Sequence, residues 1–293
     1  MYVGFGDRLH VPNYIRGEEI MTISICIPVV SGRHLRDCLD SIFGSSFQDF
    51  EVIVNNSSSD PVISDVLKSY DLKTIDKKTM SFESRYITAM ASRGERTFIF
   101  DETRMMGRTL LSDVNKNSKD MVVIKERDKG RGLVNFLSNI DKSNIPDDIS
   151  ILDPIRNKSV IPRVYGRETV ITAMETIRRN LPENILTQVV GLDLELIYLE
   201  SYNLTKNIGF ISSSEITHYG DETIGEVFRK YYRYGYTQRM MKNTYYGEFA
   251  GLSGRNRSTL PLRNRIKSIP IQVLRGLPFI LGYLNGKSKN DTV

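Results

Sequence analysis

GERTFIFDET, residues 94–103, is the stretch on which the reading of this sequence turns. Thr97-Phe98-Ile99-Phe100 is a run of strand formers with no strongly polar face, and it leads straight into Asp101-Glu102-Thr103. It reads as a buried strand that delivers acidic groups at its carboxyl end. In open α/β sheets ligands sit at that end of the strands, where carboxylates would hold a hydrated cation and its phosphates. Taken alone, the tripeptide is more simply a solvated acidic turn. What surrounds it decides between the two.

Upstream, Ile23, Ile25 and Ile27 alternate with Ser24 and Cys26 until Pro28 stops the ladder, which makes a first strand. Leu35, Cys38, Leu39, Ile42 and Phe43 then follow the spacing of a helix lying on a sheet. Glu51 to Val54 is the next strand. It ends in the polar run Asn55 to Asp60, which is either a cap for a helix over Val62 to Tyr70 or a nucleotide-contacting loop. A short strand over Leu72 to Ile75 and a helix over Phe82 to Ser92 complete a β-α-β-α-β-α-β order. That order is the signature of a doubly wound, mostly parallel sheet.

Downstream the pattern thins. Met121 to Ile124 adds a strand, and Lys125 to Asp148 is polar with one helix over Leu133 to Ile140. Helices follow at Glu168 to Arg179 and from Gly191 onward, with short strands at Ile208 to Ile211 and Glu215 to His218. Neither GxGxxG nor a P-loop occurs, so a dinucleotide or ATP-hydrolysing site has no support. No internal repeat is present.

The chain of 293 residues has a net charge of +5, unevenly spread: Glu226 to Val293 holds 13 Lys and Arg against 3 Asp and Glu. That basic quarter calls for an anionic partner. Cys26 and Cys38 fall in a buried strand and its following helix, which suggests neither disulfide nor thiolate metal site and fits a reducing cytoplasm. Residues 1–21 lack the apolar core of a signal peptide and read as a loose extension.

The stretch ISICIPVVSGRHLRDCLDSIFGSSFQDFEVIVNNSSSD resembles the N-terminal half of the inverting glycosyltransferases of family 2. Leu35, Cys38, Leu39 and Ser41 match the helix of that family, Pro28 its first strand, and Ser58 and Asp60 its second loop. Ser84-Arg85-Tyr86 falls where the family has Ala-Arg-Asn, and Gly94-Glu95 where it has Gly-Glu. Asp101 follows Gly94 at the distance of the first Asp of Asp-x-Asp. In the second half, Gly191-Leu192-Asp193 stands at the Gly-Glu-Asp position and His218 where many members place a third metal ligand. The likeness spans about residues 22 to 286. Three departures stand out: Asn55-Asn56 for an acidic pair, Thr103 for the second Asp, and Leu192 for Glu.

The resemblance implies a GT-A fold over residues 22–222 and a basic, Tyr- and Arg-rich helical region over 223–293. It implies transfer of a sugar, with inversion, from a nucleotide-diphosphate donor to a glycan or lipid-linked acceptor. Asp193 is then the general base, with Glu195 as a backup. Pro28, Val30, Asn56, Arg85, Asp101 and Glu102 would line the donor site, with Arg163 a further candidate on the acceptor side. Asp101, Glu102 and His218 would hold Mn²⁺ or Mg²⁺, though His218 reads equally as a half-buried histidine at a strand end. Without the resemblance, Asp193 is an ordinary helix-start acid and Arg85 a surface ion pair with Glu83 or Glu95.

Three readings fit the basic tail: a solvated face, a single-strand nucleic-acid surface, and a membrane-surface element. No nucleic-acid motif accompanies it. The membrane reading places Tyr231, Tyr232, Tyr234 and Tyr236 at headgroup level and Arg229, Lys230, Arg233 and Arg239 against anionic lipid on the inner face of the cell membrane. Ile269 to Leu284 is too short to span and is interrupted by Pro270, Arg275 and Pro278. The sequence also admits a catalytically silent relative of the same fold that serves as a binding or scaffold protein.

Overall fold

The computed structural model describes residues 22–130, 132–142, 152–157, 160–251 and 262–286. The extension over 1–21 and part of the 125–148 stretch lie outside them. Among the described residues one eight-stranded sheet runs through the molecule in the order β3-β2-β1-β4-β7-β6-β8-β5. Its strands are β1 (Ile23–Val29), β2 (Phe50–Asn56), β3 (Lys73–Asp76), β4 (Arg96–Ile99), β5 (Arg104–Met106), β6 (Met121–Lys129), β7 (Val164–Gly166) and β8 (Ile208–Tyr219). The block from β3 to β4 is parallel, as the alternating strand and helix pattern requires. β7 enters antiparallel between β4 and β6, and β5 closes the far edge antiparallel to β8. The sheet is mixed and mostly parallel, the arrangement expected from the sequence.

Helices α1 (Leu35–Phe43), α2 (Pro61–Leu67) and α4 (Leu110–Lys116) cover one face. Their apolar residues Leu35, Leu39, Ile42, Ile63 and Leu110 join Phe98 and Phe100 in one core. Helices α3 (Ser81–Met90), α6 (Arg167–Asn180), α7 (Glu183–Leu186) and α8 (Asp193–Leu204) cover the other, where Ile99 meets Phe82, Met174 and Leu196. Helix α5 (Leu133–Lys142) follows β6. β1 is buried along its whole length, since a central parallel strand has helices on both sides. Cys26 and Cys38 are free and buried, and burial pushes the Cys26 thiol up to about 12.

Two differences from the sequence expectation bear on the site. Ile208–Tyr219 is one strand, where two short ones were expected: β8 pairs with β6 up to Ile211, skips Ser212 to Ser214, and resumes at Glu215 opposite Lys125. The C-terminal apolar segment, expected to be broken, is a single helix, α11 (Leu262–Asn285), with Pro270 and Pro278 inside it. A proline inside a helix costs roughly 3 kcal/mol. Packing against α9 (Ile224–Met241) offsets this: a Cβ on Gly235 would strike the Phe279 carbonyl at 1.9 Å, and one on Gly282 the Tyr232 carbonyl at 1.9 Å. The two helices touch backbone to backbone. The short helix α10 (Gly247–Gly251) lies between them in sequence. No helix among the described residues is long and apolar enough to cross a membrane.

Candidate active site

Strand alternation sets the site. Ile99 faces the α3/α8 side, so Asp101, two residues on, continues to that side, while Phe100 and Glu102 turn to the α1 side. On the α3/α8 side Asp101 meets three guanidinium groups. Arg85 Nη2 donates to its Oδ1 at 2.6 Å, Arg104 Nη1 donates to Oδ2, and Arg163 Nη1 lies 3.6 Å from Oδ2. Burial alone would raise the Asp101 carboxyl, but Arg85, Arg104 and Arg163, with His218 beyond them, hold it below the usual carboxylate range.

Arg85 is the hinge of the arrangement. It sits one turn after Ser81 on α3, on the same helical face, and its side chain is 8% exposed. Its Nε lies 3.4 Å from Asp193 Oδ2, and Ser81 Oγ donates to that same oxygen at 2.6 Å. Asp193 opens α8 directly after the turn at Gly191. Gly191 has φ +83 and lies so close to Tyr234 that a Cβ there would come within 2.3 Å of the ring. Only glycine fits both conditions. Asp101 and Asp193, far apart in sequence, are thus joined through one arginine.

Glu126 completes the cluster, accepting from Arg163 Nε at 2.6 Å and from Arg104 Nη2 at 3.5 Å. Three carboxylates and three guanidiniums share a mostly buried space. Arg104 Nε and Arg163 Nη1 are buried there without a hydrogen-bond acceptor. Buried donors of this kind are what an incoming anionic group would satisfy. Arg104 and Glu126 were not expected from the sequence. Arg163 was, though with no link to Asp101.

The other expected residues fall into place unevenly. Pro28 is buried at the end of β1, and Val30 projects into solvent beside it, 64% exposed. Asn56 is buried at the end of β2, its Nδ2 donating to Asp76 and its Oδ1 accepting from the Ser58 N–H. Asn55 Nδ2 lies within hydrogen-bond distance of Ser57, Lys77, Thr79 and Ser84, which ties β2 to α3, and its Oδ1 is left without a donor. Glu195 lies on α8 two residues past Asp193.

The expected cation ligands do not converge. Glu102 turns its carboxylate to the loop after β1, accepting from the N–H groups of Val30, Ser31 and Gly32 at 3.3, 3.0 and 2.8 Å. His218, on β8 opposite Arg104, has its Nδ1 2.9 Å from Asp128 Oδ1. Asp101 is enclosed by guanidiniums, which oppose a dication at the same oxygens. Among the described residues no group of three or more His, Cys, Asp or Glu is placed to hold a metal ion. This donor set does not fit the divalent site that the family resemblance implies.

The expected tyrosine belt also points elsewhere. Tyr234 lies against Gly191, Tyr231 lies under Arg275 at 5.4 Å, and Tyr232 accepts a hydrogen bond from Asn285. Lys230 pairs with Asp221 at 3.2 Å, and Arg239 lies over Tyr283. These side chains join α9 to α8 and α11, and none of the four tyrosines is fully exposed.

Comparison with solved structures identifies the class of fold. The crystal structure of residues 1–349 of S. aureus TarS, a glycosyltransferase, superposes with a TM-score of 0.53 at 16% identity, covering 90% of this chain and 81% of that one. The same TarS fragment in complex with UDP-GlcNAc gives 0.53 at 16% identity, covering 89% and 84%. In complex with UDP it gives 0.52 at 15%, covering 90% and 88%. The chain has a glycosyltransferase fold. No protein-family model and no curated protein sequence matches it.

Proposed function

We propose that this protein is an inverting glycosyltransferase, moving a sugar from a nucleotide-diphosphate donor to a hydroxyl of a glycan or lipid-linked acceptor. The observation that carries this reading is the bridge from Asp101 through Arg85 to Asp193, set at the carboxyl end of β4 in a fold shared with TarS, whose structures include complexes with UDP-GlcNAc and UDP. Asp193 is the general base. Its Oδ2 is held by Ser81 and Arg85, which leaves Oδ1 to take the acceptor proton as the hydroxyl attacks the anomeric carbon. A single displacement of that kind inverts the anomeric centre.

The leaving diphosphate gathers negative charge as the bond breaks, and the guanidinium edges of Arg85, Arg104 and Arg163 supply forked, charge-assisted donors for it. Asp101 orients those arginines. Asn56, at the end of β2, presents an amide to the nucleotide in place of an acid, while Asn55 is buried beneath it and ties β2 to α3.

Calorimetry with a panel of nucleotide sugars, followed by transfer assays, tests the reading. Asp193→Asn is expected to abolish transfer while preserving donor binding, and full activity in that variant would sink the base assignment. A second reading, a silent binding protein, is favoured by the way the arginines are already paired with carboxylates. Failure of every donor to bind would select it.

A further inference from the structure

The outer side of α11 breaks the usual pattern of a surface helix. Ile266, Ile269, Val273, Leu277, Ile280 and Leu284 are each exposed, between 51% and 72%, and their spacing places them within one arc of about 120°. The opposite arc, with Ser268, Ile271 and Gly282, is buried. From Ile266 to Leu284 the apolar stripe runs about 27 Å. Near its buried flank, α5, which packs on α11, adds the exposed Leu133 and Phe136. A stripe of this length, free of charge, calls for a covering partner.

We infer that this stripe is a docking face for an anionic lipid surface, on which α11 lies flat with its outer arc among the acyl chains. Charge complementarity points to lipid. Together α9 and α11 hold eight Lys and Arg and one acidic residue, Glu226, which is engaged by the Thr223 cap and by Arg33. Arg229, Arg233 and Lys267 are exposed. An apolar helical face in a strongly basic segment is the composition of an interfacial helix. Area argues against a second copy of the chain. A stripe one helix wide and about 27 Å long offers on the order of 300 Å², well short of the roughly 800 Å² per partner of a stable interface.

The face is also wired to the site. Arg275, on the buried side of α11, donates to Ser138 of α5 at 2.8 Å, and Ser138 donates to Asp128 at 3.0 Å, the residue that holds His218. The relay ends at His218, which pairs across the strands with Arg104, and a lipid-linked acceptor held at the membrane would approach the site from this side. This last point deepens the transferase reading; the docking itself does not depend on it.

Flotation of the full chain with vesicles tests the inference. Binding is expected to vesicles of phosphatidylcholine mixed with phosphatidylglycerol, and to be weaker with phosphatidylcholine alone. The triple variant Val273→Gln/Leu277→Gln/Leu284→Gln should lower binding to the mixed vesicles at least ~100-fold, with an unchanged thermal transition because all three side chains are exposed. Arg229→Gln/Arg233→Gln should erase much of the preference for phosphatidylglycerol. Absence of wild-type binding, equal binding by the triple variant, or a wild-type dimer that the triple variant dissolves without any vesicle binding would each overturn it. Donor calorimetry in vesicle-free solution reads the transfer proposal separately.

Discussion

Arg85 Nη2 lies 2.6 Å from Asp101 Oδ1 while the Nε of the same side chain faces Asp193 Oδ2 at 3.4 Å, so one planar cation fixes two acids on different elements. Lysine has the charge but no fork. Arg85→Lys should keep most of the stability and lose transfer by ~100-fold or more, through misplacement of Asp193, the proposed base. Arg85→Ala should cost about 3 kcal/mol in urea unfolding, because two buried carboxylates lose a partner. A lysine variant with wild-type kcat would refute the positioning role.

The depressed Asp101 carboxyl gives stability a defined acid limit. Its folded value lies below its unfolded value, near ~3.9, so its contribution is complete above the unfolded value and is lost as pH falls through the folded one. Asp101→Asn should therefore be clearly less stable than wild type at pH 7, and the gap should narrow as pH drops below ~4. Thermal unfolding of both proteins across that range is the measurement; a gap independent of pH would count against the ion-pair account.

Glu102 separates two roles that the sequence had merged. As an acceptor for the loop after β1 it should cost about 1–3 kcal/mol on replacement by Gln, with the Mn²⁺ dependence of donor binding unaltered. A loss of Mn²⁺ affinity with intact stability would restore it as a ligand.

Gly191→Ala forces a side chain into a left-handed turn and against the Tyr234 ring. We expect a stability loss of at least ~1 kcal/mol, together with a larger drop in kcat than in donor affinity, since the turn sets the start of α8 and so the aim of Asp193. Equal changes in both would point to general loosening. Tyr234→Leu in the same background, by easing the clash, should recover part of the stability.

The sequence shows the first half of the fold clearly, because β1, α1 and β2 carry unbroken apolar periodicity, and it brings Asp101 to the right strand end. Arg104 and Glu126 escape such a reading. β5 has three residues and so no period, and the outer part of β6, Lys125 to Lys129, is charged. Hydropathy takes that segment for a loop, whereas Glu126 in place is paired with both Arg104 and Arg163. Strand alternation gives Asp101 and Glu102 opposite aims, which reading the two as ligands of one cation overlooks. The faces of α9 were not legible, because tyrosine suits a lipid interface and a helix contact equally well, and only the glycines at 235 and 282 show that α11 lies against it.

The three serines that β8 carries past the pairing of Ile124 have a consequence for how the chain can vary. Because Ile211 pairs with Ile124 and Glu215 with Lys125, removing Ser212 to Ser214 would leave every remaining partner unchanged, His218 opposite Asp128 included. Their hydroxyls instead reach Asp113 on α4, from Ser213 at 3.0 Å and Ser214 at 2.8 Å. Shortening the strand here would therefore cost its hold on α4 and leave the register of β8 against β6 as it is.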